Sequence, residues 1–181
     1  MRGPEMVTER LVLAPLGLAD APRLFEYRSD AEVARYQTWE PAGVDDAIAF
    51  IRDLESVAFD TPGTWFQLGI RPSDSDLLVG DIGVHFSRGE SREVEIGFSL
   101  APEHQGRGYA TEAVRGLLGH LFRTSGKHRV TASVDPRNHK SLALLERVGM
   151  RREAHFRQSL WFKGEWVDDI IFAMLESEWD G

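Results

Sequence analysis

The chain has 181 residues, 42% of them hydrophobic and 28% charged, which is the composition of one folded domain able to bury roughly 70% of its unfolded surface. It has no cysteine, which excludes disulfides, thiolate metal sites, iron–sulfur clusters and a cysteine nucleophile, and makes the cytoplasm the expected compartment. A net charge of −8 argues against general nucleic-acid binding; no apolar run approaches the ~20 residues of a membrane span, and Met1 to Arg10 carries no signal-peptide stretch.

No repeat, low-complexity tract or linker divides the sequence, so residues 1–181 are expected to form one unit. Leu11 to Leu13, followed by Pro15, predicts a short first strand. Asp20 is placed to cap a helix running to about Arg28, and Asp30 a second one carrying Val33 and Tyr36. Asp45 or Asp46 opens a third, with Ala47, Ile48, Ile51 and Leu54 on one face. The period then shortens to two. Trp65 to Ile70, Leu77 to Phe86 and Glu93 to Leu100 read as strands separated by turns at Pro72 to Asp76 and Ser87 to Ser91, which predicts an antiparallel meander. In the last of these strands Val94, Ile96, Phe98 and Leu100 share one face, and Glu95, Gly97 and Ser99 the other.

After a loop at 101–108 comes the strongest helical pattern, with Ala113, Val114, Leu117, Leu118, Leu121 and Phe122 in one stripe up to Gly126. Arg129 to Val134 predicts a strand, and Asn138 caps a short helix bearing Leu142, Leu144, Leu145 and Val148, stopped by Gly149. Phe156 to Phe162 and Trp166 to Leu175 form a terminal hairpin around Lys163, Gly164 and Glu165. Charge is unevenly spread: residues 101–153 hold ten Lys and Arg against five acids, whereas the remainder holds eleven against twenty-four. That contrast suits an anionic ligand near the basic segment, and equally a helix surface that happens to carry arginine.

The chemically informative stretch is Glu103-His104-Gln105-Gly106-Arg107-Gly108-Tyr109-Ala110-Thr111-Glu112-Ala113, between a strand and an amphipathic helix. Two glycines there let main-chain N–H groups converge at the positive end of a helix, a way to hold a diphosphate. A P-loop does not fit, because no Gly-Lys-Ser/Thr follows. A Rossmann fingerprint does not fit either, because the preceding strands read as antiparallel and no glycine stands at the third glycine's position. Glycines that merely end a strand and open a helix remain the plain alternative.

Gln105-Gly106-Arg107-Gly108-Tyr109-Ala110 resembles the Gln/Arg-x-x-Gly-x-Gly/Ala loop of the GNAT N-acetyltransferase superfamily, which binds the pyrophosphate of acetyl-coenzyme A. The likeness runs nearly end to end and is similar to the RimJ/RimL branch, the ribosomal-protein N-terminal acetyltransferases. It is carried by Thr8 to Leu13, by Glu95-Ile96-Gly97-Phe98 with Pro102-Glu103, and by Asn138, Ser141, Leu144, Glu146, Val148, Gly149 and Met150. Gly164, Trp166, Asp168, Leu175, Glu178 and Trp179 complete it.

The resemblance implies an α/β fold: a single domain with a central mixed, mostly antiparallel sheet, splayed between the strands at Glu93 to Leu100 and Arg129 to Val134 and flanked by helices. It implies an acyl-coenzyme A-dependent N-acetyltransferase that moves acetyl to a primary amine by direct attack. The acceptor would be a protein N-terminal α-amine or a small molecule. A non-catalytic acyl-coenzyme A sensor and a succinyl-coenzyme A enzyme are the alternatives. Gln105, Gly106, Arg107, Gly108, Tyr109 and Ala110 would bind the cofactor, with main-chain groups at Phe98 and Leu100 polarising the thioester. Arg107, Arg137 and Lys140 are candidate phosphate partners, and a β-branched residue at Gly108 should crowd the phosphates.

By the same resemblance Asn138 and Ser141 reach the pantetheine end, Ser141 as donor to the departing thiolate; an N-cap with a small polar neighbour is the alternative for the pair. Glu95 is the candidate base, weighed against an exposed strand glutamate. His85 would lie beside Glu95 if the strand register allows; lone strand histidines are ordinarily structural, so it is not taken as a site residue. The six histidines lack paired metal-ligand spacing, and no metal is expected. Nucleic-acid and membrane partners are not expected. The acceptor's identity and the choice between monomer and homodimer have no readable code, and Trp161, Phe162 and Trp166 read as packing or substrate wall.

Overall fold

The computed structural model describes residues 3–89 and 92–181. The turn expected at Ser87 to Ser91 includes Glu90 and Ser91, and the N-terminal stretch includes Met1 and Arg2; these four lie outside the described residues. In chain order the elements are β1 (Met6–Val7), β2 (Leu11–Pro15), α1 (Ala21–Arg28), α2 (Ala31–Ala34), α3 (Val44–Glu55), β3 (Trp65–Pro72), β4 (Gly80–Phe86) and β5 (Glu93–Leu100). They continue with α4 (Tyr109–Arg123), β6 (Arg129–Val134), α5 (His139–Arg147), β7 (Arg151–Phe162) and β8 (Glu165–Leu175). The eight strands form one sheet in the order β1-β2-β3-β4-β5-β6-β8-β7. All neighbours are antiparallel except β5 and β6. The central mixed sheet and the meander from β3 to β5 are therefore as expected.

Period-two alternation gives the sheet two different faces. Phe66, Leu68, Ile82, Val84, Val94, Ile96, Val130 and Phe172 lie on one, buried against the α4 stripe of Val114, Leu117, Leu118 and Leu121. At roughly 1.5–3 kcal/mol per fully buried large apolar side chain, this layer is the main source of stability. The other face is polar at its centre and is roofed at one end by α1 and α3, where Leu24, Tyr27, Ile51, Leu78 and Ala101 make a second apolar cluster.

That roof is fastened by ionic chemistry. Asp81, fully buried on β4, accepts hydrogen bonds from the Tyr27 hydroxyl, the Arg28 guanidinium and the Gln67 amide. Burial pushes the Tyr27 phenol well above its ordinary range, helped by the Asp81 charge. Burial alone would lower Arg28, but the Asp81 carboxylate more than offsets it and holds the guanidinium charged. Arg28 also donates to Gln37 Oε1 at 2.8 Å, tying the segment after α2 to the same carboxylate.

Several boundaries differ from the sequence reading: α3 begins at Val44 with Gly43 at its N-cap, ahead of the expected Asp45 or Asp46, and β4 begins at Gly80 rather than Leu77. Asp20 does not cap α1: its carboxylate accepts from the Gly17 N–H at 2.8 Å and pairs with Arg71, closing a 3-10 turn at Leu18–Asp20. Asp30 does cap α2, accepting from the N–H groups of Glu32 and Val33, yet the helix stops at Ala34 and leaves Tyr36 beyond it, where its hydroxyl donates to the Arg137 carbonyl at 3.2 Å. The terminal hairpin is longer than its apolar residues suggested, because β7 begins at Arg151 on a largely exposed edge where alternation carries no burial signal.

The buried Asp81 network makes a stability prediction. Arg28→Met leaves a carboxylate buried without its counter-charge, and should cost about 3–5 kcal/mol in urea denaturation. Adding Asp81→Asn, which keeps an acceptor for the Tyr27 hydroxyl and turns an amide donor toward Gln67, whose own amide can flip to accept it, should recover a large part of that loss; a double variant no more stable than the single one contradicts the account.

Candidate active site

The site begins where two strands part. β5 and β6 pair through Glu93↔Arg129, Val94↔Val130 and Glu95↔Thr131, and no further. β5 stays joined to β4 as far as Gly80↔Leu100, and β6 stays joined to β8 as far as Val134↔Ile170. The sheet therefore opens as a wedge with its vertex at Glu95 and Thr131. The Ala101 N–H donates to the Val79 carbonyl at 3.0 Å, which fixes the alternation: main-chain groups at 97 and 99 turn toward β4, and those of Phe98 and Leu100 turn into the wedge. The splay expected between these strands is present, with the two expected residues presenting their backbone to it.

A cleft of about 1120 Å³ lies at the mouth of the wedge, beside the end of β5, and continues over the loop to α4; its walls include Phe98, Leu100, Gln105, Gly106, Gly108, Tyr109, Ala110, Asn138 and Ser141. The loop passes through a 3-10 turn at Pro102–His104, then Gln105, then Gly106 at φ +76° and Gly108 at φ +81°, with Arg107 between. Only glycine takes such angles without strain, and the alternation turns successive N–H groups to one side as an anion-binding concavity. Gly108 is the N-cap of the 15-residue α4 and offers no capping side chain, so the first-turn N–H groups and the positive end of the helix dipole face the cleft. An added Cβ at Gly106 would meet open space, whereas one at Gly108 would lie 3.3 Å from Arg10 Nη2. The crowding expected from a side chain at Gly108 thus falls first on Arg10, because its Cβ direction points at that guanidinium.

Arg10 belongs to a clamp that sequence reading did not find. Glu112, in the first turn of α4, accepts from the Thr8 hydroxyl at 2.6 Å, the Arg10 N–H at 2.7 Å and Arg10 Nε at 2.7 Å. The same guanidinium donates to the Arg107 carbonyl at 3.1 Å and stands over the Tyr109 ring. Burial would raise the Glu112 carboxyl, but the bonds from Thr8 and Arg10 outweigh it and hold it below its usual range. The segment before β2 therefore anchors the loop through contacts about a hundred residues apart in sequence.

Gln105 spans the mouth of the wedge: its amide donates to the Leu100 carbonyl at 3.1 Å and its oxygen accepts from Lys140 Nζ at 2.9 Å. Asn138 caps α5, Oδ1 accepting from the Ser141 N–H at 3.2 Å, which leaves its amide nitrogen and the Ser141 hydroxyl on the cleft side. Arg137 is drawn away from the candidate phosphate partners, because Asp135 and Glu165 neutralise it and raise its pKa. Arg107 is exposed, and among the described residues its side chain has no ion pair.

Glu95 stands half-buried on the polar face at the vertex, opposite His85 on β4 and Thr131 on β6. Burial pushes its carboxyl up; His85 pulls in the other direction, and Asp169 adds to the rise. Ser99, two rungs further along that face, has its hydroxyl sealed from solvent and, among the described residues, without a partner. Gln105, Gly106, Gly108, Tyr109, Ala110, Asn138, Ser141, Phe98 and Leu100 are thus gathered around one cleft; Glu95, at the vertex where the strands part, and Arg107 are not among the residues that line it. Among the described residues no three His, Asp or Glu side chains are grouped as a cation site would need, and no helix is long and apolar enough to cross a membrane.

The family profile described as "Acetyltransferase (GNAT) domain" matches residues 10–151. The chain is 33% identical over 178 residues to the uncharacterized N-acetyltransferase YnaD of Bacillus subtilis, covering 97% of this chain and 99% of that one. It is 28% identical over 187 residues to the ribosomal protein uS5-alanine N-acetyltransferase of Escherichia coli, covering 96% and 92%. The structure of Mycobacterium smegmatis RimJ in complex with CoA-disulfide superposes with a TM-score of 0.81 at 25% identity, over 99% of this chain and 89% of that one.

The clamp predicts a pH dependence of stability. A carboxylate whose folded pKa is depressed adds stability that is fully present above its unfolded value near ~4.3 and is lost as pH falls through the folded one. Glu112→Gln should therefore be less stable than the parent at pH 7, with the gap in urea midpoint closing as pH falls below about 4. A gap that stays constant with pH contradicts the assignment.

Proposed function

Because the chain belongs to the GNAT acetyltransferase family and is an N-acetyltransferase, we propose that it takes acetyl from acetyl-coenzyme A, held in the wedge and over the Gly106–Gly108 loop, and delivers it to the α-amino group of a protein. Members of this family use acetyl-coenzyme A, and the donor set suits it: main-chain N–H groups and a helix N-terminus for the pyrophosphate, an extended strand edge for the amide-bearing arm. The observation that carries the reading is the loss of β5–β6 pairing beyond Glu95 and Thr131, which leaves polar main-chain groups of Phe98 and Leu100 facing a cleft. In a dry sheet such groups would be costly, and a ligand with its own amides and carbonyls satisfies them.

In this reading the cradle of Gln105 to Ala110 fixes the phosphates, with Arg107 and Lys140 supplying charge. Main-chain N–H groups of Phe98 and Leu100 polarise the thioester carbonyl as the amine nitrogen attacks. Glu95 takes the amine proton, directly or through water; its raised pKa makes it a stronger base than an exposed carboxylate. Ser141 donates to the sulfur as the C–S bond breaks, and Asn138, besides capping α5, orients the arm with its amide. No acyl-enzyme is required. An α-amine, with a pKa of about 7.7–8.0, is already partly neutral at pH 7, while a lysine amine near ~10.4 is not, so an N-terminal acceptor asks less of the base. The relative that acts on a ribosomal protein's alanine supports a protein acceptor.

The experiment is release of thiol from acetyl-coenzyme A across a panel of free and blocked peptides, lysine and small amines. Turnover should be greatest with free peptide N-termini; binding without turnover on every amine overturns the proposal. Gly106→Ala should weaken coenzyme A binding at least ten-fold by calorimetry, since its methyl enters the cleft, and cost only about 1–2 kcal/mol of stability from the left-handed backbone. Glu95→Gln should keep coenzyme A affinity and lower kcat about 100-fold, with the acid limb of the pH profile abolished; an unchanged profile removes Glu95 as base.

A further inference from the structure

We propose that His85 accepts the proton from Glu95 through an intervening water and passes it to solvent, a step that rests on the reading of Glu95 as base. When the acceptor enters as an ammonium, transfer forms one C–N bond, breaks one C–S bond and removes two protons from nitrogen. One ends on the departing sulfur, and the other must leave the enzyme. A half-buried carboxyl that collects it has to unload before the next turnover.

The register sets His85 directly across from Glu95, so the two side chains stand side by side on the polar face at the wedge's vertex. The ring is itself half-buried and leans on Trp65, 5.2 Å between centroids, and Trp65 is 44% exposed at the outer edge of the row. Among the described residues neither His85 ring nitrogen makes a hydrogen bond, and neither is among the sealed side-chain atoms. A histidine kept for structure is pinned, as His155 is between Arg152 at 2.9 Å and Asp168 at 2.7 Å. His85 has no such anchor among the described residues, and an imidazole can take up a proton on one ring nitrogen while releasing one from the other.

The other charged groups on this face do not offer the route. Glu93 and Arg129, on the preceding rung, pair with each other, and Arg129 also pairs with Glu153. Asp169 on β8 accepts from the Ser133 hydroxyl, and Asp81 on β4 is sealed under Arg28. Thr131 on β6 donates to the Val94 carbonyl.

The test compares the parent with His85→Gln, His85→Asn and Glu95→Gln at saturating acetyl-coenzyme A and peptide, between pH 6 and 8, in dilute buffer and with added imidazole. Both His85 variants should lose about ten-fold in kcat in dilute buffer, a fraction of a general base's full effect. Their KM for peptide and Kd for coenzyme A should stay within about two-fold of the parent's. Added imidazole should restore kcat in the His85 variants and leave Glu95→Gln unrescued. A kcat unchanged in both His85 variants, or a loss that imidazole does not relieve, overturns the relay while leaving Glu95 as base. A Glu95→Gln profile identical to the parent's overturns both. Two variants of different length guard against a change in Trp65 packing, and coenzyme A binding certifies the fold of each.

Discussion

The rest of the molecule is arranged around an interruption in hydrogen bonding. A sheet that stayed paired from β5 to β6 would satisfy its own main chain and have nowhere to admit a ligand. Here pairing stops after three rungs, yet each strand keeps its outer neighbour, β4 for one and β8 for the other, so the gap is held from both sides by complete ladders. The apolar face explains why the gap does not collapse. Val94, Ile96 and Leu100 on one strand and Val130, Ala132 and Val134 on the other are buried in the common core, and rejoining the strands would require repacking that layer.

The second requirement is that the loop stay where α4 begins. A loop containing two residues at positive φ has few stabilising contacts of its own. Arg10 and Thr8 supply them from the other end of the chain, through Glu112 and the Arg107 carbonyl. The clamp sits on the side of α4 away from the wedge, so it orders the cradle without occupying it. On the opposite flank Lys140 and Gln105 join α5 to the loop, and the hydroxyl of Tyr36 and the carbonyl of Arg137 join the segment after α2 to the approach of α5. Most of the basic excess of residues 101–153 is spent in this way. Arg129, Arg137 and Arg151 are held by acids, and the charge near the cradle comes down to Arg107, Lys140 and Arg147.

What the sequence made legible is what repeats locally. The stripe from Ala113 to Phe122 and the alternation from Glu93 to Leu100 are periodic, and both elements appear with their expected faces; β6 and the Asn138 cap follow the same logic. The loop was readable because glycine spacing before a helix has a direct conformational meaning. What escaped was non-local. Nothing near Glu112 names Thr8 or Arg10 as its partners, and nothing near Asp81 names Arg28. Helix α2 ended early because its continuation is replaced by contacts from Tyr36 and Gln37 to distant elements. Strand β1 is two residues long and exists only by pairing with Val12 and Leu13.

His85 shows the same limit in its sharpest form. Read alone, it is one polar residue on the polar side of a strand, with nothing to separate it from a solvated or packed histidine. The register with Glu95 depends on the six residues between β4 and β5, and a slip of one position would send every side chain of one strand to the opposite face. The vertex of the wedge depends on the same register, since Glu95 is both the partner of His85 and the last residue paired with β6. One alignment of strands therefore sets where the sheet opens, which carboxylate stands at the closed end of the opening, and which imidazole stands beside it. That coupling is why a carboxyl raised by burial and a histidine with no hydrogen bond among the described residues occur together at this place.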